Sequence, residues 1–384
     1  MLRFDAPLSA YEKQADELLA GWQSGDEQAL KFFRARHPKF LDEDIPWLQR
    51  FWESDEQARA IPVDREDAKL AVARSYDFQD WRALENHAAA VADTSSPSAR
   101  FERAAEAVID GDADTLRRLL REDPHLVHAR STRVCCFDPP VHRATLLHYT
   151  AANGIEGYRQ RTPPNAVEMA KVLLKAGADP NALQSSYGGE NTTMAMLVSS
   201  TPPKQAGVQA ALVETLIDYG AAIRPLGTGK WANPVMTALV FGSTEAAQAL
   251  VQRGADVDSL PIAAGLGRME EVTRLLPAAS PDDRHGALAL SAQLGHLDVV
   301  RTLLDAGEDP NRFNPDGHHS HATPLHQSIA SGHFEVAKLL IERGARLDIK
   351  DTIFRSTPLG WAEHCQQPKI AAFLKERLAG GAQS

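Results

Sequence analysis

Four histidines, His318, His319, His321 and His326, fall within nine residues, and they are the part of this chain best suited to hold a metal ion. Neutral imidazole is the commonest protein ligand for such ions. The spacing argues against it. His318 and His319 are adjacent and too close to share one ion, and no cysteine or carboxylate pattern completes a ligand set. Cys135-Cys136 with His142 and His148 forms a second group. Three cysteines are too few for a disulfide framework, and a vicinal pair closes only a strained bridge, so reduced thiols are expected. Gly227-Thr228-Gly229-Lys230-Trp231 lacks both the earlier glycine and the following Ser or Thr of a phosphate loop. Gly265-Leu266-Gly267 falls inside a helical pattern, not after a strand. There is no Gly-x-Ser-x-Gly elbow and no His-Glu-x-x-His. The chain therefore names no catalytic residue, no metal ligand and no cofactor.

What remains is chemistry suited to recognition. Tyr158, Arg159 and Arg161 lie in a proline-rich stretch, 155–164, and are residue types favoured at binding hot spots. Tyr187 precedes Gly188-Gly189, a tight turn or a ligand-facing finger. Lys230 and Trp231, His319 and His321, and Trp361 complete the set of candidate contact residues.

Helices must carry these residues. Over 8–92 apolar residues recur at three and four: Tyr11, Ala15, Leu18 and Leu19, then Leu30, Phe32 and Phe33, then Ala68, Leu70, Ala71 and Val72, then Trp81, Leu84 and Ala88. Trp22, Trp47, Trp52 and Trp81 lie in the same segment, which predicts a small helical bundle with an aromatic core. Asp93 to Ala99 is short, polar and contains a proline, so it reads as a linker, taken here as 93–100.

From 101 onward helical pairs repeat. Thr323-Pro324-Leu325-His326, Gly332-His333 and Leu339-Leu340-Ile341-Glu342-Arg343-Gly344-Ala345 make one whole period. Weaker copies begin near 102, 145, 193, 233, 258, 286 and 357. The threonine caps the first helix, proline at the first helical position forfeits no hydrogen bond, and the glycine supplies the left-handed residue ending the second helix. Leu-Leu pairs at 119–120, 173–174, 303–304 and 339–340 are expected to fill the seams between neighbours. This pattern resembles the ankyrin repeat, a unit of about 33 residues. The resemblance covers about 101–378 and is most specific at 145–183 and 286–350. The segment ending in Tyr76-Asp77-Phe78-Gln79-Asp80-Trp81 looks like the helical preface of bacterial ankyrin proteins. The resemblance implies an all-α protein, an N-terminal helical domain (1–92) before an ankyrin-repeat solenoid (101–378). It also implies a non-enzymatic scaffold that binds a protein partner through its concave face and fingers.

The chain departs from the repeat at the enlarged turns 154–165 and 199–205, expected side by side, and at the long fingers 185–191 and 313–321. A ligand-binding or catalytic pocket built from 155–164 and those two fingers is the competing reading, and self-association through the enlarged turns is a third. Net charge is -10, with 12 basic against 19 acidic residues in the first 95. The repeats are nearly neutral, so nucleic acid is not an expected partner. No run of 18 or more apolar residues and no secretory leader is present, which predicts a cytoplasmic protein without membrane contact.

Overall fold

Short polar side chains start most of the helices. Asp26, Asp80, Ser96 and Asp112 each accept a backbone N–H of the first turn that follows, and Asp64 forms a reciprocal capping box with Asp67. The computed structural model describes residues 1–152 and 156–381. It divides into two compact bodies: residues 1–221 with 227–229, and residues 222–226 with 230 onward.

The first body opens with helices Leu8–Ser24, Glu27–Arg36, Arg65–Ser75 and Trp81–Ala92. The expected apolar faces meet in one cluster holding Tyr11, Ala15, Leu30, Phe33, Ala71, Val72, Trp81 and Leu84. Trp22 lies edge-on to Phe33 at 5.1 Å and to Phe40 at 5.6 Å, so the aromatic core exists. Trp47 does not join it, being 66% exposed. The stretch read as a linker is also more ordered than its composition suggests. Ser96 donates to the Ala90 carbonyl at 2.6 Å and caps helix Pro97–Asp110, so the polar residues form a turn and a helix start rather than a tether.

Three helical pairs follow in this body: Pro97–Asp110 with Ala113–Glu122, Leu146–Ala151 with Ala166–Lys175, and Thr193–Val198 with Gln209–Asp218. Leu146–Ala151 is wound as a 3-10 helix and ends at Ala152 with φ 47°, where the chain leaves for the enlarged turn. The start of that turn, Gly154 and Ile155, lies outside the described residues. The second enlarged turn contains a short helix, Thr201–Gln205. Ser200 of that turn donates to the Ala152 carbonyl at 3.0 Å, at the end of the helix that precedes the first enlarged turn.

The strands Leu183–Ser186 and Gly189–Thr192 form an antiparallel finger rather than a central sheet. Tyr187 (φ 54°) and Gly188 (φ 73°) both take positive φ at its tip, the backbone of a two-residue hairpin turn. The Gly227-Thr228-Gly229 stretch lies against this finger. Thr228 N–H donates to the Glu190 carbonyl at 3.1 Å, and a Cβ on Gly189 would sit 2.2 Å from the Thr228 oxygen. Those glycines serve a close backbone approach, not a phosphate.

The second body contains the pairs Pro234–Val240 with Thr244–Gln252, Leu260–Gly265 with Met269–Leu275, Pro281–Leu294 with Leu297–Asp305, Pro324–Ala330 with Phe334–Glu342, and Pro358–His364 with Pro368–Gly381. One continuous cluster, including Leu288, Val300, Leu303, Leu325, Ile329, Leu340, Ala362 and Leu374, runs through the later pairs. Across both bodies every residue of the expected leucine pairs is buried except Leu304, which is half-buried. The Gly of each helix stop has φ between 90° and 100° at Gly177, Gly220, Gly254, Gly307 and Gly344. Neighbouring pairs are also pinned by histidine. His296 bonds the Gly265 carbonyl at 2.9 Å, and its ring fills the space a Cβ on Gly267 would need, 2.6 Å from Nδ1.

Candidate functional site

The candidate contact residues separate into two environments, one in each body. In the first, helix Pro97–Asp110 presents Glu102, Glu106 and Asp110 at intervals of four, hence along one face. Segment 156–161 folds onto that face. Arg159 is 3% exposed and pairs with Glu102 at 2.7 Å, Glu106 at 2.8 Å and Glu156 at 3.1 Å. Arg161, half exposed, pairs with Asp110 at 2.6 Å. Tyr158 packs edge-on to Tyr76 at 5.5 Å, and its N–H donates to Asp77 at 3.2 Å.

Arg133, a residue the sequence reading passed over, closes this group. It is 6% exposed, donates to the Tyr76 carbonyl at 2.8 Å and the Tyr158 hydroxyl at 3.0 Å, and stacks over Phe78 at 4.2 Å. A bridge between Phe78 and Cys135, and a bond from Cys136 N–H to the Asp77 carbonyl at 2.9 Å, join the segment around Cys135 to the helical preface.

Burial alone disfavours the charged form of Arg159, but Glu102, Tyr158 and Glu156 outweigh it and hold its pKa well above the ordinary value. Burial pushes Tyr158 up to about 12, so it stays a neutral donor and acceptor. These groups pair mainly with one another, although Arg159 Nη2 makes no hydrogen bond. Arg159 is therefore not a surface contact, and Tyr158 is largely committed to internal packing. Of the three loop residues only Arg161 keeps a free flank.

In the second body the fingers bring five candidates into one row. Lys230 pairs with Asp316 at 2.9 Å, which lowers that carboxyl, and its ammonium lies 5.6 Å from the Trp231 ring. Trp231 meets Phe241 edge-on at 5.1 Å. His319 bonds the Val240 carbonyl at 3.0 Å and lies 6.1 Å from His321. His321 in turn is 6.0 Å from both Phe354 and Trp361. Phe241 and Phe354 are 41% and 52% exposed, and neither was singled out from sequence.

Trp361 is half-buried, as the repeat position dictates, and its indole N–H donates to Asp351 at 2.9 Å. Next to it a cavity of about 390 Å³ is lined by Phe354, Ser356, Trp361, His364 and Cys365. Burial, and then His319, keep His321 below the usual histidine value, so this imidazole is neutral at neutral pH. The histidines do not converge. His318 faces the Asp316 carbonyl, His319 the Val240 carbonyl, and His326 Nδ1 faces the Thr323 hydroxyl at 2.8 Å. Among the described residues no group of three or more His, Cys, Asp or Glu side chains has the geometry to hold a metal ion.

The remaining candidate, Tyr187, stands half exposed at the tip of its hairpin finger in the first body. The 156–164 segment and the 185–191 finger belong to the first body, whereas the 313–321 finger belongs to the second. The helical face bearing Glu102, Glu106 and Asp110 was the one available sequence signal for the ion pairs. Arg133 and Glu156 carried none, since neither stands in a periodic pattern with its partners. Among the described residues no helix is long and apolar enough to cross a membrane.

Comparison with known proteins agrees with this architecture. Family models described as "Ankyrin repeat" and "Ankyrin repeats (many copies)" match residues 142–184 and 287–341. The chain is 29% identical over 158 residues to the zebrafish (Danio rerio) Ankyrin repeat and SAM domain-containing protein 6, covering 37% of this chain and 21% of that protein. It thus spans about a fifth of that relative's length. It is 32% identical over 123 residues to the Cyclin-dependent kinase inhibitor 2A of Monodelphis domestica, covering 31% of this chain and 70% of that one. A solved human ASB11 ankyrin repeat domain aligns at 20% identity and a TM-score of 0.37, covering 71% of this chain and 96% of that one. With capped helical pairs, left-handed glycine stops and Thr–His boxes falling where these matches fall, the chain belongs to the ankyrin repeat family.

Proposed function

We propose that this chain is a non-enzymatic, cytoplasmic scaffold that binds a protein partner through the finger row of its second body. Ankyrin repeats generally mediate contacts between proteins, and a stack of helical pairs contains no chemistry of its own. The observation that carries the reading is the continuity of Lys230, Trp231, Phe241, His319, His321, Phe354 and Trp361. Phe241 and Phe354 stay open to water, and Phe354 lines a cavity of about 390 Å³. With Lys230 answered by Asp316 and His321 neutral, the row is nearly uncharged at neutral pH. It suits an apolar or aromatic side chain of the partner seated against Trp361, with polar contacts at the rim. Tyr187 and Arg161, in the first body, are proposed as secondary contacts.

The test is affinity capture from native cytoplasm, comparing wild type with a Phe241→Ala, Phe354→Ala variant and with Arg161→Ala. The reading expects one protein captured by wild type and by Arg161→Ala but lost with the double variant. Equal recovery by the double variant removes the finger row from the binding site.

A further inference from the structure

We propose that segment 47–52, which carries an antiparallel bridge at Gln49, is a docking edge for a partner strand in which basic and apolar side chains alternate. It lies in the first body, away from the ion-paired interior, and rests on three independent features.

The first is backbone. Through the turn at 42–47 the chain doubles back: Asp42 N–H donates to the Leu48 carbonyl at 2.8 Å, and Arg50 N–H to the Phe40 carbonyl at 2.9 Å, on either side of an antiparallel bridge between Leu41 and Gln49. In that register residues 48 and 50 spend their backbone groups inward, so those of Gln49 and Phe51 point outward. Among the described residues, the N–H and C=O of Gln49 and Phe51 find no hydrogen-bond partner. A row of unpaired donors and acceptors is a template for another strand.

The second is side-chain alternation. Leu48, Arg50 and Trp52 are half-buried, with Trp52 6.2 Å from Phe40 and Arg50 over the Trp52 ring at 5.7 Å. Trp47, Gln49 and Phe51 face out, with Trp47 66% and Phe51 86% exposed. Two large rings four residues apart, both in water, form an apolar face that none of the described residues of this body covers.

The third is charge. Residues 42–56 carry six carboxylates against one guanidinium, Arg50, which is already paired with Glu43. A second copy of the chain would bring the same carboxylates to the same edge and be repelled. A strand bearing Lys or Arg at alternate positions meets opposite charge there while its apolar residues cover Trp47 and Phe51. Strand addition draws affinity from main-chain bonds and specificity from alternate side chains, and this edge supplies both.

The probe is a fluorescein-labelled peptide of about ten residues alternating Lys and Val. It is titrated against the full chain by anisotropy. Its N-methylated form, lacking alternate amide donors, and an alternating Glu–Val peptide are run beside it. Saturable binding of the Lys–Val peptide is expected, weakened about tenfold or more by N-methylation or by Trp47→Ser with Phe51→Ser, and absent for Glu–Val. The N-methylated arm leaves the protein unaltered, so a misfolded variant cannot imitate the result. No binding at about 100 μM peptide, or equal binding by the N-methylated peptide, overturns the proposal. Equal binding by the Trp47→Ser, Phe51→Ser variant also overturns it. A wild-type dimer in light scattering that this variant abolishes would assign the edge to self-association instead, and that also overturns it.

Discussion

The first body buries Arg133 and Arg159 among its carboxylates, and the second leaves Phe241 and Phe354 open to water. Arg159 and Tyr158 stand in a proline-rich stretch that reads like a surface loop, yet Glu102, Glu106, Glu156, Arg133 and Asp77 take up most of their polar atoms. Lys230 and Phe354 stand exposed in fingers, with Trp231 and His321 half-buried beside them. The lesson is that a residue type marks a binding site only where no internal partner reaches it. Helix Pro97–Asp110 supplies such partners to its own neighbourhood, and the finger row has no comparable acidic stripe.

The largest effect should come from breaking the ion-paired interior. Arg159→Leu removes a guanidinium from among three carboxylates, and losing one member of a buried pair costs about 3–5 kcal/mol. Urea denaturation measures this, and a loss below about 1 kcal/mol would mean that water already solvates the group.

Acid comes next. Burial holds His148 near 4, below the ordinary 6.5. As pH falls through 6.5 the unfolded chain takes up a proton that the folded chain refuses until about 4, so stability is lost across that window. Each pH unit within it costs about 1.4 kcal/mol. Denaturation at several pH values should show a shallower slope for His148→Gln than for wild type, and identical slopes would contradict the assignment.

The finger row should behave in the opposite way. Phe241→Ala with Phe354→Ala should change stability by no more than about 1 kcal/mol, since exposed positions contribute little to folding. A larger loss would turn the row into a packing feature and erase the contrast. Smallest of all, Arg161→Ala removes a half-exposed pair with Asp110 and should cost about 0.5 kcal/mol, less at high salt.

Much of the fold was legible because its determinants are local. Asp64 and Asp26 announce their helices, Gly344 and Gly307 end theirs, and Thr323 with His326 closes a box three residues long. Periodicity likewise located the buried faces around Phe33, Val72 and Leu340. The site was harder to read. Arg133 and Tyr158 meet across 25 residues, Arg159 and Glu102 across 57, and Trp231 and Phe241 only through the turn of a helix. Polar residues at 93–96 read as a tether because composition does not reveal that Ser96 bonds back to Ala90. Trp47 read as core because an aromatic residue in a helical segment usually is, while it stands exposed in a turn.

The amino-acid order alone determined the helical pairs, their stops and their obligatory stacking, because a cap, a left-handed glycine and an apolar stripe each act within a turn or two of chain. Only the tertiary structure decided which tyrosines, arginines and tryptophans are free to meet a partner. Availability depends on whether a complementary group from a distant segment arrives first, and that is a property of the packed chain rather than of any stretch of it.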